Sequence, residues 1–246
     1  MLRRFLSNQR PAYAKATAGR SRAKALDLGM GYGRNAIWLA ERGYEVEGWE
    51  REARYLREAI REARRRLNAT RAPRPATREN RGSVHGKVKV RRGDFTKGKW
   101  RGPYDVIVIS QALHQMRHSA ALRVLERAAR ALAPGGRLFL LAKLTSDRHV
   151  QRVQSDPAWK PMPDERNTFL RPEARKRGHY HRGRPRPPAM ILSALEPREI
   201  RQALKGLRVC HWRTVVLRSD WEEERLVTHT VAEVVAERRA KAEERE

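Results

Sequence analysis

Lys24–Glu50 reads KALDLGMGYGRNAIWLAERGYEVEGWE. A short apolar run, Ala25-Leu26-Asp27-Leu28, leads into three alternating glycines, Gly29, Gly31 and Gly33. Ala36, Ile37, Leu39 and Ala40 then recur at helical spacing until Gly43, and a second strand-like run, Tyr44 to Trp49, ends on Glu50. Strand, glycine turn, helix, strand and acid in this order open a doubly wound nucleotide-binding sheet. The glycines let the backbone turn sharply and approach a ligand where a Cβ would collide. The turn aims helix N–H groups and the positive end of the helix dipole at that ligand. An acid at the tip of the second strand accepts the hydroxyl hydrogens of a ribose.

Two readings of the glycines compete. Gly31–Ala36 fits G-x-G-x-x-A, the dinucleotide signature, but a tight turn should start where the strand ends, at Gly29. Read from there, Asp27–Gly33 is D-x-G-x-G-x-G. In this form the stretch resembles the first motif of the class I S-adenosylmethionine (SAM) dependent methyltransferases. Arg34-Asn35-Ala36 and Leu39-Ala40 make it most similar to the tellurite-resistance and small-molecule branch of that superfamily.

The rest of the chain keeps register with this opening. Glu52 to Leu67 carries an apolar stripe of Tyr55, Leu56, Ala59, Ile60, Ala63 and Leu67, which predicts a helix. Val88-Lys89-Val90 predicts a short third strand leading into Arg92-Gly93-Asp94-Phe95. Tyr104–Ile109 is almost continuously apolar, as in a central parallel strand covered on both faces, and runs into Ser110-Gln111-Ala112-Leu113-His114. Ser119 is placed to cap the next helix, whose Leu122, Leu125, Ala129 and Leu132 face inward. Pro134-Gly135-Gly136 ends it, and Arg137–Ala142 begins a fifth strand. The run L-x-P-G-G-x-L-x-L, Leu132–Leu140, is frequent at this point in the methyltransferases that the chain resembles. Glu196-Pro197 starts a further helix, with proline in its first turn and Gly206 at its end. Leu207–Leu217 and Arg225–Ala236 then read as two strands around Ser219-Asp220. Val231 onward fits a helix as well as a strand; strand followed by a helical tail is the expectation.

The resemblance implies a Rossmann-like α/β fold: a doubly wound, mostly parallel seven-stranded sheet with an antiparallel last strand and a Pro/Arg-rich insertion before strand six. The domain is expected over 23–236, behind a basic lead-in at 1–22 and ahead of a charged tail at 237–246. Within it, 68–86 is a basic surface loop and 146–192 is a substrate-side insertion, either a lid or disordered. The implied activity is transfer of the SAM methyl group to an acceptor. The resemblance assigns Gly29, Gly31 and Gly33 to the methionine and ribose portions, Asp27 to the turn and, through water, the methionine ammonium, and Glu50 to the ribose hydroxyls, with Trp49 and Arg51 in the adenine surroundings. It assigns Asp94 and the Phe95 backbone to adenine, and Ser110 and Gln111 to the sulfonium. Arg34 and Asn35 either bind the methionine carboxylate or cap the helix. Asp94 has the alternative of capping a turn. His114 is the candidate catalytic base, since its ordinary pKa suits proton removal near neutrality; the alternative is a histidine packed at a helix start. Three features depart from the family pattern. Trp49-Glu50-Arg51 replaces an Asp with a small or polar follower, and Met30 stands where Cys or a small residue is common. No Asn-Pro-Pro-Tyr-like run follows the fourth strand, which counts against the amino-methylating nucleic-acid enzymes.

Composition sets the remaining bounds. Of 246 residues, 55 are Lys or Arg and 28 Asp or Glu, a formal charge of +27. Such a surface suits RNA, although the arginines are spread through every segment and no stacked-aromatic RNA signature is present. One cysteine, Cys210, builds neither an internal disulfide nor a thiolate zinc site, and burial is its expected state. His179 and His181 sit in a basic loop and are read as solvated, so no metal is expected. With no apolar run long enough to span a bilayer and no secretory signal, a cytoplasmic protein is expected. A small-molecule acceptor leads; an RNA or protein methyltransferase is the alternative, and a non-catalytic SAM- or NAD-binding scaffold is third.

Overall fold

The computed structural model describes residues 22–69, 86–172, 189–219 and 227–240. His179, Tyr180 and His181, residues 1–21, 70–85 and 241–246, and Asp220 of the expected turn lie outside the described residues. The chain divides into two compact units: Met1–Ser110 with Arg130–Phe139 and Ala236–Glu246, and Gln111–Ala129 with Leu140–Val235.

The first unit builds the predicted opening. Strand β1 (Lys24–Leu28) is followed by helix α1 (Arg34–Ala40), β2 (Glu45–Glu50), α2 (Ala53–Ala69), β3 (Lys87–Arg92) and β4 (Tyr104–Ser110). β1 lies parallel between β2 and β4, with Asp27 opposite Gly48 and Val108. β3 adds to the outside of β2, also parallel, with Glu50 opposite Arg92. Val106, Ile107, Val108 and Ile109 are all buried, as a continuous apolar run requires when both faces of the strand are covered. β3, with sequence KVKVRR, alternates between half-buried and exposed, the pattern of an edge strand.

Two departures from the family pattern have a packing reason here. Met30 is buried over Gly48 on the adjoining strand, where a Cβ would stand 2.3 Å from the Met30 sulfur. Trp49 is buried, and its indole N–H donates to Glu47 at 2.9 Å. The buried Glu47 carboxylate also accepts from the Tyr104 hydroxyl at 3.0 Å and lies 2.6 Å from the Arg91 guanidinium. Burial and the Glu47 charge beside it hold the Tyr104 phenol well above its usual range.

In the second unit, a short 3-10 turn (Leu113–Gln115) precedes helix α3, His118–Ala131, whose last residues, with the next strand as far as Phe139, belong to the first unit. β5 (Leu132–Lys143) begins directly after that helix. The Pro134-Gly135-Gly136 stretch is therefore strand rather than turn. Gly135 donates to the Arg238 carbonyl and Arg238 to the Gly136 carbonyl. Ser119 is not the cap of α3: its N–H and hydroxyl both donate to the Glu165 carboxylate, at 2.8 and 2.7 Å. Helix α5 (Pro197–Ala203) starts on a capping box between Glu196 and Glu199.

The 146–192 insertion is ordered over its described residues. It holds helix α4 (Arg148–Ser155) and a small antiparallel sheet of β6 (Lys160–Pro161), β7 (Thr168–Arg171) and β8 (Met190–Ser193). Val150, Val153, Trp159, Phe169, Leu192 and Ala194 form its own apolar cluster. Two- to four-residue strands carry too little alternation to read as strands, so the sequence pattern registers only prolines and arginines.

The chain closes with β9 (Arg208–Ser219) and β10 (Val227–Glu237). Seven strands are hydrogen-bonded in the order β3-β2-β1-β4-β5-β10-β9. β10 runs antiparallel to β5, since Gly135 pairs with Arg238 and Leu144 with Thr230. This is the expected fold class. Val231–Ala236 are buried on both faces, which favours a strand over the helical alternative; Arg238–Ala240 carry no regular structure. Cys210 is exposed, against the expected burial, because β9 is the outer strand of the sheet.

Candidate functional site

The first unit brings together the residues that the glycine motif pointed to. Gly29, Gly31 and Gly33 have φ of 69°, 53° and 76°, the left-handed region where a side chain is strained. A Cβ on Gly31 would meet nothing within 4 Å, so the loop borders open space there. At Gly33 the limit is packing, with Ala59 Cβ and Met30 Cε each 3.1 Å from where a Cβ would stand.

Glu50, buried at the end of β2, ties the loop to the second strand. One carboxylate oxygen accepts from the Gly31 N–H at 2.9 Å and the other from the Glu52 N–H at 2.8 Å. A carboxylate offers about four lone-pair positions, so each oxygen keeps one for a further donor. Asp27, at 1% exposure, leaves its Oδ2 without a hydrogen-bond partner. Burial, opposed by the Ala36 N–H and aided by the Glu50 charge, pushes its carboxyl up to about 7.

The third strand's exit lies beside these groups, since the Gly93 N–H donates to the Glu50 carbonyl at 3.0 Å. Asp94 is exposed, and its Oδ1 accepts from the Thr96 N–H and hydroxyl at 2.8 and 2.7 Å. One oxygen thus caps a turn, as the alternative reading had it. Phe95 is buried, and its carbonyl accepts from the Trp100 indole. Arg51 is exposed and lies 3.6 Å from Glu52. Asn35 is half-buried in the first turn of α1, and no side chain caps that helix, so Arg34 and Asn35 do not serve as its cap. Ser110 ends β4, half-buried.

In the second unit, Gln111 has a φ of 53°, unusual for a residue with a side chain, and its N–H donates to the Leu141 carbonyl at 2.9 Å. His114 keeps some exposure, but its Nδ1 is enclosed and has no hydrogen-bond partner. Burial first, then the charges of Lys143, His229 and His149, lower its pKa to about 3, against the pull of Asp147. Its imidazole is neutral at physiological pH and a weak base. Lys143 is buried, with its ammonium 2.8 Å from His229 Nδ1 and 3.4 Å from Asp147 Oδ1. Burial lowers the Lys143 pKa, and Asp147 opposes the shift. Asp147 is fully buried, caps α4 through the His149 and Val150 N–H groups, and accepts from the Thr230 N–H.

Sequence reasoning missed Lys143, Asp147 and His229. The available signal was a lysine ending the apolar run LFLLAK just ahead of a helix-capping aspartate. His118, by contrast, is a structural pin, held between the Ala194 carbonyl and Glu199. Among the described residues, no group of three or more His, Cys, Asp or Glu is arranged to hold a metal ion, and no helix is long and apolar enough to cross a membrane.

The model of a family described as methyltransferase domain matches residues 2–184. A search of curated proteins returns no match. Among solved structures, a SAM-dependent methyltransferase from Methanosarcina mazei superposes with a TM-score of 0.60 at 18% identity, covering 94% of this chain and 98% of that one. TehB from Haemophilus influenzae gives 0.57 at 15% identity, covering 96% of this chain and 66% of that one. A magnesium protoporphyrin IX methyltransferase from Synechocystis with bound SAH gives 0.53 at 15% identity, covering 92% and 79%. At these identities the likeness is one of fold. The residues present fit SAM: Gly31 borders open space, Glu50 beside it retains acceptor capacity, and Asp27 offers an unpaired oxygen to a cation. The glycine loop, the acid that grips it and a family model spanning most of the chain lead to one conclusion: the protein belongs to the methyltransferase-domain family and is a SAM-dependent methyltransferase of class I.

Proposed function

We propose that this enzyme methylates a small-molecule acceptor. The observation that carries the reading is the state of Trp159 and Phe169, the insertion's aromatics among the described residues. They are 8% and 9% exposed, packed into the insertion's own core. Single-stranded RNA is held by aromatic faces on which bases stack, and these two faces are already used. The resemblance to the small-molecule branch points the same way.

When bound, SAM supplies a methyl carbon on a sulfonium, an electrophile that needs no further activation. The chain's part is to bind, orient and exclude water. Glu50 accepts the ribose hydroxyls with the lone pairs left over from Gly31 and Glu52. Asp27 takes the methionine ammonium, which favours its ionised form. Asp94 and the Phe95 backbone read adenine, Asn35 and Arg51 border the ends of the cofactor, and Ser110 and Gln111 border the sulfonium. His114, neutral, orients the acceptor by hydrogen bonding.

The charge of +27 favours RNA as a second reading, and Arg57, Arg61 and Arg64 form an exposed basic stripe on α2. One experiment separates the two. The protein is incubated with methyl-labelled SAM and, separately, with the small-molecule and RNA fractions of a cell extract. Label in the small-molecule fraction is expected; label confined to RNA overturns the proposal.

A further inference from the structure

The second unit encloses a polar cluster whose hydrogen-bonding capacity is only partly used. It is assembled from the 3-10 turn after β4, which carries His114, the end of β5, which carries Lys143, the start of α4 with Asp147 and His149, and β10, which carries His229. Lys143, 4% exposed, has three ammonium hydrogens. His229 Nδ1 and Asp147 Oδ1 account for two. The third, and His114 Nδ1, have no hydrogen-bond partner among the described residues. Asp147 spends its acceptor capacity on three backbone N–H groups as well as on Lys143. It therefore neutralises the ammonium from one side only. An enclosed lysine with a spare hydrogen, in a cluster whose imidazole Nδ1 has no partner, leaves hydrogen-bonding capacity that a ligand would satisfy. A negatively charged ligand suits the ammonium and accepts from a neutral imidazole N–H.

Both residues also stand where chemistry is done in such sheets. His114 follows β4 and Lys143 ends β5, at the carboxyl ends of neighbouring strands. We propose that Lys143 and His114 together form the acceptor-binding pair of this methyltransferase, and that the acceptor they hold is an oxygen acid (a phenol, enol or carboxylic acid) bound as its oxyanion. This rests on the small-molecule reading given above. The acceptor enters with its proton already lost, so neither residue has to remove one. That agrees with an imidazole kept neutral by burial and by the Lys143 charge. Lys143 supplies the charge, His114 a neutral N–H, and Asp147 and His229 fix the ammonium in place. His149, on the first turn of α4, adds to the positive surroundings of His114. Amine and thioether acceptors, which carry no negative charge, gain nothing from this arrangement.

The test uses the full-length chain and 4-nitrophenol, whose absorbance reports its own ionisation, at fixed physiological salt. Binding is expected to lower the apparent pKa of the bound phenol by about one unit, a tenfold rise in its ionisation constant. Lys143→Met is expected to abolish that shift. Because this variant strands a buried carboxylate, Lys143→Met/Asp147→Asn is measured beside it; asparagine keeps the helix cap while both charges are removed. No binding to the unaltered protein, an unshifted titration, or a shift that survives in both variants overturns the proposal. SAM titrated by calorimetry into the same samples tests the underlying reading. Failure of the unaltered protein to bind SAM sinks the methyltransferase mechanism, whereas SAM binding with an unshifted phenol sinks only the oxyanion pair.

Discussion

Glu50 gives the sharpest quantitative expectation. Its two oxygens each accept one backbone N–H, from Gly31 and Glu52, and in the proposed site each keeps one lone pair for a ribose hydroxyl. Hydrogen bonds to a charged partner are worth about 1.5–3 kcal/mol each. Glu50→Ala removes both ribose bonds, roughly 3–6 kcal/mol by that figure, which weakens SAM roughly a hundred- to ten-thousand-fold. Glu50→Gln keeps the volume and one oxygen but turns an amide donor toward one of the N–H groups. Its loss should be about half, a drop of roughly ten- to a hundredfold. The fold should suffer less than binding, because Gly31 is only half-buried and Glu52 is exposed, so water can reach both N–H groups. Calorimetric titration of SAM, with urea unfolding of the same samples, separates the two effects. A dissociation constant within threefold of the unaltered protein for Glu50→Ala, in a variant that remains folded, would remove Glu50 from the site.

Asp27, with a carboxyl raised to about 7, should make SAM binding depend on pH. The methionine ammonium prefers the ionised form, so affinity should rise between about pH 6 and 8 with release of a proton, read by calorimetry in buffers of different ionisation heat. In the free protein the raised pKa stabilises the fold fully below the ordinary carboxylate range. That contribution fades as pH rises through about 7, and Asp27→Asn should flatten the unfolding profile across this window. His114 has the opposite sign. Its folded pKa of about 3 lies below the ordinary 6.5, so its contribution is present above 6.5 and is lost as pH falls toward 3; His114→Gln should lose less stability than the unaltered protein between pH 7 and 4 in urea titrations. Gly98→Ala would put a Cβ 2.2 Å from a ring carbon of the buried Trp49. A cost of about 1–3 kcal/mol in urea unfolding is expected, and an unchanged midpoint would show that the indole moves aside.

Much of the fold was legible because local pattern and tertiary demand coincide. Asp27–Gly33 announces its turn through glycines that the left-handed backbone requires, and Tyr104–Ile109 announces a central strand through unbroken apolarity. The pattern of Leu132–Leu140 predicts helix end, turn and strand, yet pairing of Gly135 and Gly136 with Arg238 draws the whole run into the sheet. A partner about a hundred residues away in sequence leaves no local trace. The same holds for Glu165, which caps α3 from within the insertion, and for Lys143 and His229, which meet only across the sheet. The glycine loop and Glu50 are legible as a candidate site because one short strand–turn–helix–strand stretch carries them all. The Lys143 cluster was missed because its members are drawn from four separate elements.

The seat of Met30 over Gly48 has an evolutionary corollary. The thioether fills a vacancy that exists only because the facing strand has no side chain at that point. Neither position can drift alone: a bulkier residue at 48 evicts the sulfur, and a smaller residue at 30 leaves a void beside the glycine loop. Related chains with a short side chain at the first position should therefore tolerate alanine or serine at the second. Covariation of this pair across relatives would mark the lineage in which the exchange became fixed.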